Sequence, residues 1–193
     1  MRTKLMLAIA TAGMIYGTSA FAVGLATPLQ FGTGQVTFSG TITNSPCDIA
    51  PGDDNIQVSF GQVSNRHFKA TDDTTDPKAF TIHLKDCSFD PNDVTKADSA
   101  GKLSKVTVSF SGTGETTHHS YVNTGSAKNV GIQLLKSDGH TYIDPNSTAP
   151  EADAQQLQAG NNNLNFFARL IALDSSVTPG GIEASVTYTL KYM

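Results

Sequence analysis

The chain has 193 residues, enough for one domain with a substantial buried core. Its formal charge of −4, from 13 basic and 17 acidic residues, argues against a nucleic-acid partner, since phosphate binding needs clustered Lys and Arg. Two cysteines set the redox question, and the absence of tryptophan thins the usual sugar-stacking platform.

Residues 1–22 read as a signal peptide. Arg2 and Lys4 make a positive start, Leu5 to Ile15 is mostly apolar, and Ala20-Phe21-Ala22 is a small-x-small cleavage site. The apolar run is too short to span a bilayer and no later stretch is longer, so an exported chain with no membrane span is expected. Val23 to Phe31, with Pro28 inside it, is loose. From Gly32 to Gly40 the residues alternate: Gly34, Val36, Phe38 and Gly40 fall on one side, Thr33, Gln35, Thr37 and Ser39 on the other. A buried face that is half glycine is weak as a core strand but slim, which suits a narrow groove.

Asn44-Ser45-Pro46 then turns into Cys47. In an exported chain Cys47 and Cys87 are expected to form a disulfide. A metal pair or a catalytic thiol is the alternative, disfavoured because neither cysteine sits in a ligand-spaced cluster. Pro51-Gly-Asp-Asp is a turn cluster, and Ile56 to Phe60 reads as a short alternating strand. Ser64 to Pro77 is polar and reads as a surface loop. Ala79 to Leu84 is a strand with Phe80, Ile82 and Leu84 on one face and His83 toward solvent. After a loop over Ser88 to Lys102, Val106, Val108 and Phe110 are in phase on the next strand. Val130 to Leu135 and Thr141 to Ile143 flank Asp138-Gly139, a hairpin signal. Asn163 to Leu173 is an apolar run interrupted by Arg169. In the last strand Ala184, Val186, Tyr188, Leu190 and Tyr192 share one face, so the chain is expected to end inside its sheet with an edge open to another strand.

No segment keeps helical periodicity over three turns, and about seven short strands separated by turn signals predict an all-β sandwich. Chemistry-bearing constellations are missing. The five histidines form neither His-x-His nor His-x-x-x-His, and adjacent His118 and His119 would point to opposite faces of a strand, so no metal site is expected. Gly32-x-Gly34 lacks a third glycine and a following helix, and no Gly-x-Ser-x-Gly occurs, so neither cofactor nor enzyme activity is expected.

Taken together, Gly34-x-Val36-x-Phe38-x-Gly40-x-Ile42 before Cys47, Cys87 after a strand, Val130-Gly-Ile-Gln-Leu, Asn165-Phe-Phe-Ala-Arg, Gly180 fourteenth from the C-terminus and a penultimate Tyr192 resemble the pilin subunits of type 1-like chaperone–usher fimbriae. The resemblance implies an incomplete immunoglobulin-like β-sandwich, completed by a donor strand from a partner. It implies a division into signal peptide (1–22), donor-strand extension (23–43) and pilin domain (44–193). The donor strand would present Phe31, Gly34, Val36, Phe38 and Gly40, although Phe31 is out of phase with the others. The groove edge and chaperone contact would be Val186, Tyr188, Leu190, Tyr192 and Met193. The implied partners are a periplasmic chaperone, an outer-membrane usher and neighbouring subunits, and the implied destination is a surface fimbrium that supports adhesion. A minor tip adaptor or a terminator is the alternative. A carbohydrate-binding adhesin fits less well, since the chain has no room for an added lectin domain.

Overall fold

The computed structural model describes residues 32–90 and 102–193. The signal-peptide reading and Phe31 lie outside the described residues. The chain divides into Met1–Ile42 and Thr43–Met193. In the first part, residues 32–42 carry no helix or strand.

The second part contains ten strands among the described residues: β1 (Asp48–Ile49), β2 (Lys78–Cys87), β3 (Lys105–Gly112), β4 (Gly114–Glu115), β5 (Ser120–Val122), β6 (Val130–Leu135), β7 (Tyr142–Ile143), β8 (Gln155–Gln156), β9 (Gly160–Ala172) and β10 (Val186–Tyr192). One antiparallel sheet runs β1-β2-β9-β6-β5-β4, with β7 also on β6, and the other runs β10-β3-β8. Long β2 and β9 anchor the larger sheet, Phe80 opposite Phe166 and Ile82 opposite Leu164. Period-two alternation turns Ile82, Leu84, Leu164, Ala168 and Leu170 inward, where they meet Val106 and Phe110 of the smaller sheet. Phe110 stands edge-on to Phe166 with ring centroids 5.1 Å apart, and Phe80 stacks on Phe166 at 5.8 Å.

The Asp138-Gly139 signal forms its hairpin, with Leu134 opposite Ile143 and Leu135 opposite Tyr142. Gly139 takes the left-handed conformation the turn requires (φ +70°). The Asp138 carboxylate accepts from His140 N and Thr141 N, both at 2.8 Å, and from the Thr141 hydroxyl. Those donors, the Thr141 hydroxyl foremost, pull its pKa down to about 2.

Two local expectations change. Ile56 to Phe60 enters no ladder, although Ile56, Val58 and Phe60 are half-buried and alternate with exposed Gln57 and Ser59. The pattern is that of a strand; the partner is missing. Ser64 to Pro77 is not simply a surface loop. Phe68 within it is buried, Asp72 N and Thr75 N bond to the carbonyls of Ala172 and Leu170, and Thr74 bridges to Ile171. A polar composition hides a segment docked by its main chain and one aromatic ring.

Candidate functional site: an open groove between strand β10 and a half-buried unpaired segment

The phase of the β10–β3 ladder decides which groups of β10 are free. Met193 and Lys105 exchange main-chain bonds of 2.9 and 3.0 Å, and the register pairs Lys191 with Thr107, Thr189 with Ser109 and Thr187 with Ser111. In an antiparallel ladder bonded pairs alternate, so the N–H and C=O of Val186, Tyr188, Leu190 and Tyr192 point to the other side. There they have no partner among the described residues. The side chains of the same four residues are half-buried against the core. The structure thus brings together four of the five residues expected at the groove edge. Met193 differs, since its main chain is committed to Lys105.

The facing wall is the unladdered segment Ile56–Val63. It runs opposite to β10: Ile56 packs in the cluster with Leu190 and Tyr192, while Val58 and Phe60 pack in the cluster with Ile182 and Ala184. At the start of this wall Tyr188 Oη donates to Asp53 O at 2.9 Å. Burial, helped by the Asp53 and Asp54 carboxylates, raises the Tyr188 pKa. Burial likewise raises that of Tyr192, whose hydroxyl is buried without a hydrogen bond.

At its other end the space between the walls widens into a cavity of ≈ 580 Å³, lined by Val58, Phe60, Phe68, Val130, Leu170 and Ile182 among others. Its rim is set by a backbone-to-backbone approach. A Cβ on Gly180 would fall 2.3 Å from Ala127 N, so only glycine fits. Gly181 holds the same contact, its carbonyl accepting from Ala127 N at 3.1 Å and its N–H donating to Ser126 Oγ at 2.8 Å.

The disulfide joins Cys47 to Cys87, tying the start of the domain to the end of β2, with both residues buried. Ahead of Cys47, Val36, Phe38 and Ile42 are 74 %, 89 % and 102 % exposed. A Cβ on Gly34 or Gly40 would meet nothing within 4 Å. Among the described residues no packing accounts for the alternation of glycine and large apolar residues there.

The histidines do not converge on a site. His83 pairs with Asp53 at 2.8 Å, His118 with Asp72 at 2.7 Å, and His119 with Asp144. Among the described residues no three His, Cys, Asp or Glu side chains cluster to hold a metal ion. Sequence reasoning missed Tyr121, fully buried with its hydroxyl donating to Phe110 O at 3.1 Å. It also missed the role of Arg169. Arg169 lies opposite Gln133 and donates through Nε to Gln133 Oε1 at 2.8 Å, while Gln133 Nε2 donates to His118 O. A buried Gln one strand away is the reason an arginine interrupts an apolar run.

Residues 36–193 match the family model described as fimbrial protein. The long polar fimbria protein A of Salmonella typhimurium is 31 % identical over 182 residues, covering 92 % of this chain and 90 % of that one. The fimbrial subunit type 1 of Salmonella typhimurium is 30 % identical over 205 residues, covering both chains fully. Among solved structures, a chain from a chaperone–usher pilus studied for rod uncoiling superposes with a TM-score of 0.68 at 25 % identity, covering 87 % of this chain and all of that one. The P pilus rod subunit PapA shares the fold, with a TM-score of 0.62 over 77 % of this chain and all of that one, at 22 % identity.

Proposed function

This chain belongs to the fimbrial protein family and is a structural subunit of a surface fimbrium, and from that premise we propose that it polymerises by donor-strand exchange. The single observation that carries the proposal is the free edge of β10. Four residues there offer unpaired N–H and C=O groups beside half-buried apolar side chains, and a second half-buried wall faces them. A strand laid between the walls satisfies both needs.

The strand is the extension of a neighbouring subunit, residues 23–43, presenting Phe31, Gly34, Val36, Phe38 and Gly40. Burying Val36 and Phe38 contributes roughly 3–6 kcal/mol. Each new main-chain bond adds about 0.5–1.5 kcal/mol net. Glycines at 34 and 40 keep the strand slim where it meets shallow parts of the groove. Before assembly a periplasmic chaperone fills the groove and contacts Val186 to Met193, and an outer-membrane usher hands the subunit to the fibre after residues 1–22 are removed. The role is structural rather than catalytic. The ≈ 580 Å³ cavity supports placing this chain among subunits that accept a further strand rather than at the terminus.

A synthetic peptide spanning Val23 to Thr43, added while a chain lacking those residues refolds, tests the proposal. A rise in melting temperature that saturates with peptide concentration is the expected result. A shortened chain that is monomeric, stable and indifferent to the peptide overturns it.

A further inference from the structure

Strand β3 also offers main-chain groups to two sides, and the side away from β10 is only partly filled. With Lys105 and Met193 bonded to one another, the N–H and C=O of Val106, Val108, Phe110 and Gly112 face that second edge. Gln155 of β8 pairs with Val106 at one end of it. At the other end Asn146 substitutes for a strand. Its N–H donates to Phe110 O at 3.1 Å, and its side-chain amide accepts from Gly112 N and donates to Gly112 O, both at 3.0 Å. Between these two clamps lies Val108, whose N–H and C=O have no partner among the described residues. The chain from Ser147 to Ala154 passes this point through the short 3-10 turn Glu151–Asp153 without pairing to the β3 main chain. A cavity of ≈ 400 Å³ lies here, with Val106, Val108, Leu164 and Phe166 in its lining.

We propose that this cavity binds a 2-acetamido sugar. Three features of the site fit that chemistry, and the apolar lining is the one that favours it over a plain hexose. The Val108 N–H and C=O form a donor and an acceptor side by side. A pyranose with an acetamido group next to a hydroxyl matches them, the acetamido N–H donating to Val108 O and the hydroxyl accepting from Val108 N. The apolar lining takes the acetyl methyl, which a plain hexose lacks. The rim supplies a ring face and hydroxyl partners: Tyr142 is 44 % exposed, and Lys136 and Asp153 pair at 2.6 Å. Tyr142 is oriented by stacking on His119, with centroids 3.9 Å apart.

The size of the opening argues against a peptide strand. Val106 and Phe110 are four positions apart, about 13 Å along a strand, which accommodates one or two sugar rings. An extended peptide of more than about three residues would meet Gln155 at one end and Asn146 at the other. The site is on the edge of the sheet opposite β10 and is independent of what fills the groove.

Saturation-transfer NMR on the full chain with N-acetylglucosamine, glucose and an N-acetyl amino-acid amide tests the proposal. N-acetylglucosamine is expected to bind with a Kd on the order of 1 mM, its acetyl methyl most strongly saturated, and glucose to show no transfer. Thr148→Trp, filling the rim from an exposed position, is expected to weaken binding about tenfold with the melting temperature unchanged, and Tyr142→Ala to weaken it by a similar factor in protein that is still folded by circular dichroism. Absence of transfer to the sugar, equal transfer to glucose, or indifference to both substitutions overturns the proposal. Binding of the amino-acid amide in place of the sugar assigns the cavity to peptide and overturns it as well.

Discussion

Tyr188 on β10 donates its hydroxyl to the main-chain oxygen of Asp53, 2.9 Å away, and so ties one wall of the groove to the start of the other. Asp53 is itself held from the larger sheet, its carboxylate accepting from His83 N and meeting His83 Nδ1 at 2.8 Å. The spacing of the walls is therefore referenced to β2 through a main-chain carbonyl and one phenol. Tyr188→Phe keeps the packing and removes the bond, at a cost of about 1 kcal/mol. A fall in melting temperature of about 2–4 °C is expected, read by thermal unfolding. An unchanged value means the wall spacing is set elsewhere.

Val36→Asp or Phe38→Asp alters a side chain that is exposed in the lone subunit, so the domain should fold and reach its chaperone as before. Once the strand enters an apolar groove the same carboxylate has no partner, and incorporation into fibres should cease. Electron microscopy of cells expressing either variant is the measurement, and fibres of normal number argue against the donor-strand role of this stretch.

Replacing both cysteines by serine removes a cross-link between positions 40 apart. The chain-entropy relation sets the loss at roughly 4 kcal/mol. Denaturant midpoints of the oxidised chain and the Cys47→Ser, Cys87→Ser chain should differ by that amount at equal slope. A difference below about 1 kcal/mol would show that the closed loop is already ordered when the chain is unfolded.

Burial pushes the pKa of the Tyr121 hydroxyl up to about 12, from its ordinary value of 10.0. A raised folded pKa means that the contribution is complete below pH 10 and is lost as pH climbs through 12. The full loss is about 3 kcal/mol for a shift of this size. In Tyr121→Phe the bond to Phe110 O is absent at every pH, but the alkaline decline should be shallower than in the parent. Parallel stability curves between pH 9 and about 12 would contradict this.

Asp138 shows the opposite sign at the acid end. Its carboxyl is held down at about 2 by the Thr141 hydroxyl and the amides of residues 140 and 141. The benefit is present above the unfolded value near 3.8 and disappears as pH falls through about 2. Asp138→Asn should lower stability at neutral pH, with the gap to the parent closing between pH 4 and about 2. A gap that stays constant with pH means the turn owes nothing to the charge.

Much of the sandwich was legible along the chain, because its signals are local. Phe80, Ile82 and Leu84 alternate with polar neighbours, Asp138-Gly139 demands a tight turn, and Val186 to Tyr192 keeps period two to its end. The resemblance to the family rests on such signals taken in order, from Gly34 through Cys47 and Gly180 to Tyr192. What the order could not supply was pairing. Ile56 to Phe60 carries the pattern of a strand and joins no sheet, since a ladder needs a neighbour and periodicity records only which side is apolar. Phe68 in its polar segment, Gln133 behind Arg169, and the amide of Asn146 standing in for a strand are contacts between residues far apart in sequence. The free edge of β10 was likewise decided in three dimensions. Alternation placed Val186, Tyr188, Leu190 and Tyr192 on the inner face, but only their phase against Lys105, Thr107 and Ser109 turned their N–H and C=O groups outward. Hydrophobic pattern is a property of one strand, and an open hydrogen-bonding edge is a property of two.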